Sequence, residues 1–204
     1  MSEITKIEVQ TKDKTRANLY IDDEFFCGIS IELCVKFGLK KGLEVNEEFV
    51  QNIVFEDEKS KAMNKATNYI SSTLKTAKQI KDYLRKKEYS PQTIDYVVDK
   101  MIEYKYLDDE AYAKAFVSTY SSKYGKLKLK SMLKVKGVAD SIIDSVLDNE
   151  ETPRESSISM VADKYLRNKE ITKETLNKLS RFLYSRGYEF DEINSYISNL
   201  KNDL

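Results

Sequence analysis

The chain has 204 residues, with 34 Lys/Arg balanced by 34 Asp/Glu, six glycines, two prolines, two cysteines and no histidine. So few chain breakers argue against an all-β domain, which needs turn residues every few positions, and a hydrophobic content of 41% argues against a disordered chain. The missing histidine removes the usual general base near neutral pH, and two cysteines alone cannot complete a four-ligand zinc site, so Cys27 and Cys34 are read as reduced packing residues.

In chain order, the first sixty residues carry a β signal. ITKIEVQ alternates Ile4, Ile7 and Val9, and RANLYI and EFFCGIS are rich in β-branched and aromatic residues, with the turn pair Asp22-Asp23 between them. A small antiparallel hairpin or three-strand meander is expected there, followed by short helices near Ile31–Phe37 and Asn46–Phe55. The acidic FEDEKSK (Phe55–Lys61) then leads into the rest of the chain, with continuation into the next helix as one reading.

From Lys61 onward the sequence repeats itself. The stretches IKDYLRKKEYSPQTIDYVV, LKSMLKVKGVADSIIDSVL and LSRFLYSRGYEFDEINSYI, starting at Ile80, Leu129 and Leu179, align without a gap at offsets of 49 and 50 residues. Leu84, Leu133 and Leu183 match, as do Tyr89, Val138 and Tyr188, then Ile94, Ile143 and Ile193, then Val98, Leu147 and Ile197. The four-residue spacing inside each stretch places these side chains on one helical face. Gly137, Gly187 and Pro91 mark a turn between two helices in each repeat. A third helix precedes each pair: Lys61–Leu74, Asp109–Ser122 and Glu155–Asn168, the second capped by Asp108 or Asp109. The segment KLKLK (Lys126–Lys130), strand-like by its alternation, is therefore expected to open a helix, with Leu129 inward and most lysines in water.

The predicted fold is mainly α: three tandem three-helix repeats in an elongated curved array, with a small β-containing N-terminal extension. The expected domains are 1–58, 59–107, 108–152 and 153–204, with breaks near Lys105–Asp108 and Asn149–Pro153. Units of about fifty residues bury little core alone, so neighbours are expected to pack together.

Charge is the most informative functional signal. Residues 1–60 hold 8 Lys/Arg against 13 Asp/Glu, whereas residues 61–107 hold 10 against 5. Lys59 to Lys81 contains six lysines and no acid, and Lys114 to Lys136 contains seven, interleaved with aromatic residues; the acids resume from Asp140. Such runs predict a positive stripe suited to phosphates or to an acidic protein face. The triplets Asp22-Asp23-Glu24 and Asp108-Asp109-Glu110 lack the spacing of a calcium loop and read as a turn and an N-cap. GLKKG (Gly38–Gly42) is too short for a phosphate loop, and no hydrolase, zinc-protease or dinucleotide fingerprint occurs, so neither catalysis nor a cofactor is expected. No long apolar run or signal-peptide pattern is seen, and the expectation is a soluble, cytoplasmic protein.

YLDDEAYAKAFV (Tyr106–Val117), LKVKGV (Leu133–Val138), SRGYEFDEI (Ser185–Ile193) and the three-fold repeat together resemble the RecX family, bacterial regulators of the RecA recombinase. The N-terminal segments resemble the extension of Gram-positive members, so the resemblance covers nearly the whole chain. It implies a non-enzymatic modulator that binds the RecA–DNA filament in its helical groove and lowers strand exchange, DNA-stimulated ATP hydrolysis and co-protease activity. It implies no catalytic residues. Partners expected are the RecA filament and weakly, non-specifically bound single- or double-stranded DNA, with no membrane, and the chain acting as a monomer. Candidate contact residues, chosen by charge and expected exposure, are Lys75, Lys78, Lys126, Lys128, Lys130, Lys134 and Arg186. The alternative is a helical-repeat protein acting directly on DNA, although Asp140 and Asp144 after the second turn are poorly suited to a groove-reading helix.

Overall fold

The structure, a computed structural model, describes residues 2–149 and 154–202. Of the expected break near Asn149–Pro153, residues 150–153 lie outside the described residues. The chain divides into two compact units, Met1–Ser72 with Lys81–Tyr106, and Thr73–Ile80 with Leu107–Leu204.

The first unit opens with strands β1 (Ser2–Val9), β2 (Arg16–Ile21) and β3 (Glu24–Ser30), the expected meander, and a two-residue β4 (Glu44–Val45) extends it to the order β3-β2-β1-β4. Both residues of the β2–β3 turn have positive φ, 50° at Asp22 and 67° at Asp23, the twist that a tight hairpin requires. Ile4, Ala17, Leu19 and Ile29 point to the buried face. Against them pack Leu33 of α1 (Ile31–Lys36) and Ile53 of α2 (Glu47–Ile70). Ser30 caps α1 by accepting from the Leu33 amide at 3.2 Å, and Asn46 caps α2 by accepting from Phe49 at 2.8 Å.

Helix α2 runs unbroken through the acidic segment, the continuation that is one reading of the sequence, and so joins the helices expected near Asn46–Phe55 and over Lys61–Leu74. The reason is that each acid there has its own partner. Glu56 meets Lys59 and Lys36, and Asp57 meets Arg16 at 3.2 Å and Lys61 at 2.6 Å. Glu58 accepts from the Ser90 amide at 2.9 Å and the Thr93 hydroxyl at 3.0 Å. With like-charge repulsion removed, the apolar face continues to Ala62 and Ala66, both fully buried. Glu58 thereby joins Ser90 and Pro91 in fixing the start of α4 (Pro91–Glu103), whose Ile94, Val97, Val98 and Met101 are buried.

The second unit contains α5 (Asp109–Tyr120), α6 (Lys126–Lys136), α7 (Asp140–Asp148), α8 (Arg154–Leu166), α9 (Lys173–Ser185) and α10 (Phe190–Asn202). Helix α3 (Ala77–Arg85) begins in this unit and ends in the first. Asp108 caps α5, accepting from Glu110 and Ala111 at 2.9 Å. Leu129 is 2% exposed and Leu127 48%, so KLKLK is helical and its alternation is incidental. The aligned apolar positions Leu129, Leu133, Val138, Ile143 and Leu147 form one core, and Leu179, Leu183, Tyr188 and Ile193 form another.

The turn after the second helix of each repeat closes in the same way. The amides of Tyr89, Val138 and Tyr188 reach back to the carbonyls of Leu84, Leu133 and Leu183. The preceding residue is left-handed each time, at φ 63° for Glu88 and 88° for Gly137 and Gly187. Within the second unit, two of these turns lie against the start of a helix. The Gly125 amide donates to the Arg186 carbonyl at 2.9 Å and the Leu127 amide to Gly187 at 3.0 Å. At the equivalent place, the Thr76 hydroxyl donates to the Lys136 carbonyl at 2.6 Å and Lys78 Nζ to Val135 at 3.1 Å. The repeat in sequence is thus also a repeat in how the turns are docked.

Candidate functional site

The acid-free run Lys114–Lys136 is not acid-free in space. Helices α6 and α7 form an antiparallel hairpin, and the carboxylates of α7 lie alongside the lysines of α6. Lys126 meets Asp148 at 2.6 Å, Lys130 meets Asp144 at 2.5 Å, and Lys134 meets Asp140 at 2.9 Å. Both sets recur every fourth residue, which keeps each on one helical face and turns three pairs into a ladder. The hydrogen bond to Asp144 raises the Lys130 ammonium above its ordinary value. These are surface pairs, worth at most about 1 kcal/mol each, so they are readily exchanged for a stronger anion.

The other candidates are differently placed. Lys75 is bonded to the Thr73 hydroxyl, and Lys78 holds the Val135 carbonyl. Lys128 is exposed, and its backbone abuts Gly187 at the docked turn. Arg186 is half-buried, its guanidinium 4.9 Å from the Phe182 ring centroid and 5.6 Å from that of Tyr124. The candidates therefore do not converge on one point. The nearest approach to a stripe is the three-rung ladder on α6.

A second concentration of positive charge was missed by the sequence reading. Lys123, Lys164, Arg167, Lys169 and Arg186 line an open cavity of about 510 Å³ between the α5–α6 loop, α8 and α9. Among the described residues no acid lines it, and none of the five forms an ion pair. The one acid beside Lys164 in sequence, Asp163, accepts instead from the Tyr196 hydroxyl at 3.2 Å. The signal available in sequence was KYLRNK (Lys164–Lys169), three cations in six residues.

Among the described residues no group of His, Cys, Asp or Glu could hold a metal ion, and no helix is long and apolar enough to cross a membrane. Cys34 is buried, and burial pushes the Cys27 thiol up to about 11, with the Asp57 carboxylate adding to the effect. Both thiols are free, packing residues rather than nucleophiles or ligands.

Four family models match in succession: the regulatory protein RecX N-terminal domain over residues 2–46, and the first, second and third three-helix domains of RecX over 62–101, 108–147 and 156–197. The chain belongs to the RecX family. Regulatory protein RecX of Clostridium tetani is 36% identical over 205 residues, covering 98% of this chain and 95% of its own. That of Bacillus subtilis is 33% identical, covering 97% of this chain and 77% of its own. A crystal structure of regulatory protein RecX superposes with a TM-score of 0.76 at 24% identity, over 95% of this chain and 98% of that one. The crystal structure of RecX from Lactobacillus salivarius gives 0.65 at 26% identity, over 72% and 98%. The family is one of regulatory proteins.

Proposed function

We propose that this chain regulates the RecA recombinase by binding the RecA–DNA filament in its helical groove, acting as a cytoplasmic monomer without catalytic residues of its own. Bound there, it lowers strand exchange, DNA-stimulated ATP hydrolysis and co-protease activity. The observation that carries the reading is membership of the RecX family over nearly the whole chain. The cationic surfaces support it in physical terms. Lys75, Lys78, Lys126, Lys128, Lys130, Lys134 and Arg186 are the proposed contacts. Each ladder lysine exchanges one exposed carboxylate for a filament phosphate or acid, a weak step alone but effective when several act from one chain.

Co-sedimentation with assembled filaments tests this. Changing Lys126, Lys128, Lys130 and Lys134 together to Gln is expected to lower the fraction bound while helicity is kept. Gln is preferred to Glu because Glu would face the three aspartates of α7 and open the hairpin by repulsion. Unchanged binding would remove the ladder from the contact surface. A second reading, direct action on DNA, is favoured by the cations around the α8–α9 cavity, which form no ion pair among the described residues. Under that reading the protein would bind naked DNA as well as it binds filaments.

A further inference from the structure

We infer that the cavity between the α5–α6 loop, α8 and α9 is a binding site for a run of adjacent phosphate groups. The inference stands on the geometry of the second unit and does not depend on the RecA reading. Its first support is uncompensated charge. Elsewhere in this unit Lys114, Lys126, Lys130, Lys134 and Lys178 each have a carboxylate at 2.5–2.9 Å, while Lys128, Lys136, Lys173 and Arg181 have no ion pair among the described residues but line no part of this cavity. The five cations at the cavity have none among the described residues, and they come from three separate segments. Like charges brought together without a counter-charge repel one another, so the arrangement is stabilised by an anion from outside.

The second support is how two of the cations are held. Tyr165 and Phe182 stack with centroids 4.6 Å apart and planes 26° apart, leaving no room between the rings. Lys169 stands 3.4 Å from the Tyr165 centroid and Arg186 4.9 Å from that of Phe182, so each cation occupies an outer face of the pair. Arg186 also lies against Tyr124, the last ring of the row Tyr112–Phe116–Tyr120–Tyr124 on and after α5. A guanidinium laid on a ring keeps its N–H edge free and pre-oriented for a bidentate oxygen acceptor. The ring faces are already covered, so a nucleobase has nothing to stack on without displacing a cation. The site is built to take phosphate oxygens and not the base.

The third support is density. A terminal phosphate of a nucleotide tail brings about −1.5 to −2 charges and three acceptor oxygens, a backbone phosphate about −1 and two, and consecutive phosphates are held covalently side by side. About 510 Å³ lies within the usual range of small-ligand cavities and accommodates consecutive phosphates. The phosphates belong either to the tail of a nucleoside triphosphate or to a nucleic-acid backbone.

The test uses the full chain and three probes at low salt: tripolyphosphate, ATP and a short oligothymidylate, read by calorimetry. Tripolyphosphate is expected to bind one site, and the pair Lys169→Gln with Arg186→Gln to weaken it at least about tenfold, since two charge-assisted contacts are lost. Because Arg186 adjoins the docked Gly187 turn, the exposed pair Lys164→Gln with Arg167→Gln provides an independent variant, expected to weaken binding several-fold with the circular dichroism spectrum unchanged. Lys114→Gln, at an exposed lysine paired with Glu110 and outside the cavity lining, is expected to leave tripolyphosphate binding within about twofold. ATP binding like tripolyphosphate, with no competition from the oligonucleotide, assigns the site to a nucleotide tail. Oligothymidylate displacing tripolyphosphate assigns it to a nucleic-acid backbone. Binding unaffected by both cavity pairs, or polyglutamate of equal charge competing as strongly as tripolyphosphate, overturns the inference.

Discussion

The left-handed residue that ends the second helix of each repeat should respond to substitution with opposite sign in different repeats. At Gly187 a methyl group would fall on the backbone nitrogen and Cα of Lys128, at the first turn of α6. Three costs follow from Gly187→Ala. An L-residue in the left-handed region costs about 1 kcal/mol. The overlap is with backbone, so the turn must move away from α6. That movement stretches the Gly125–Arg186 and Leu127–Gly187 hydrogen bonds, 2.9 and 3.0 Å long and each worth about 1 kcal/mol. The sum is about 3 kcal/mol, or a melting temperature lower by roughly 6–12 °C for a chain of this size. Glu88 holds the same place in the first repeat at φ 63° and already bears the left-handed cost. Glu88→Gly should therefore raise stability by up to about 1 kcal/mol. Urea and thermal unfolding followed by circular dichroism measure both. A loss below about 1 kcal/mol for Gly187→Ala, or a loss for Glu88→Gly, would refute the reasoning about docked turns.

Replacing Asp140, Asp144 and Asp148 together by Asn should free the three ladder lysines, changing stability by less than about 1 kcal/mol per rung while raising low-salt affinity for oligonucleotides several-fold; fluorescence anisotropy at two salt concentrations would show it. Glu56 is held below its ordinary carboxyl value chiefly by the Lys59 hydrogen bond, with Lys36 adding and burial opposing. A depressed value stabilises the fold above the unfolded value of 4.5, so the advantage of the parent over Glu56→Gln should be full near neutrality and shrink as pH falls through the folded value; a constant difference across an acid series would contradict the pairing. With its thiol pushed up to about 11, Cys27 should react with a disulfide reagent at pH 8 far more slowly in the native protein than in urea. Equal rates would mean that the thiol is not held in the packed environment seen beneath β3.

The repeats were legible in the sequence because helical burial is a local pattern. Leu84, Leu133 and Leu183 are all fully buried, as their register requires. The Asp22-Asp23 turn was legible for a similar reason, since a two-residue hairpin is specified by its own residues. The continuity of helix α2 was legible only as one of two readings, because the partners that let it pass through Glu56, Asp57 and Glu58 are distant: Arg16, Lys36, Ser90 and Thr93. The same limit governs the charged surface. Like-charged blocks at 126–136 and 140–148 read as a positive run and a negative run, yet an antiparallel hairpin lays one on the other. The cavity cations sit on the α5–α6 loop, α8 and its following turn, and the end of α9, so no single window of sequence contains them. Only Arg186 was singled out beforehand, by its place beside the third turn.

The most direct test of the regulatory account is RecA ATP hydrolysis on single-stranded DNA, measured with the protein well below one copy per RecA monomer, beside a binding assay on the same DNA without RecA. The account expects hydrolysis to fall at ratios where naked DNA stays mostly free. Hydrolysis that is untouched, or that falls only once the protein coats the DNA, would contradict filament binding and leave direct action on nucleic acid in its place.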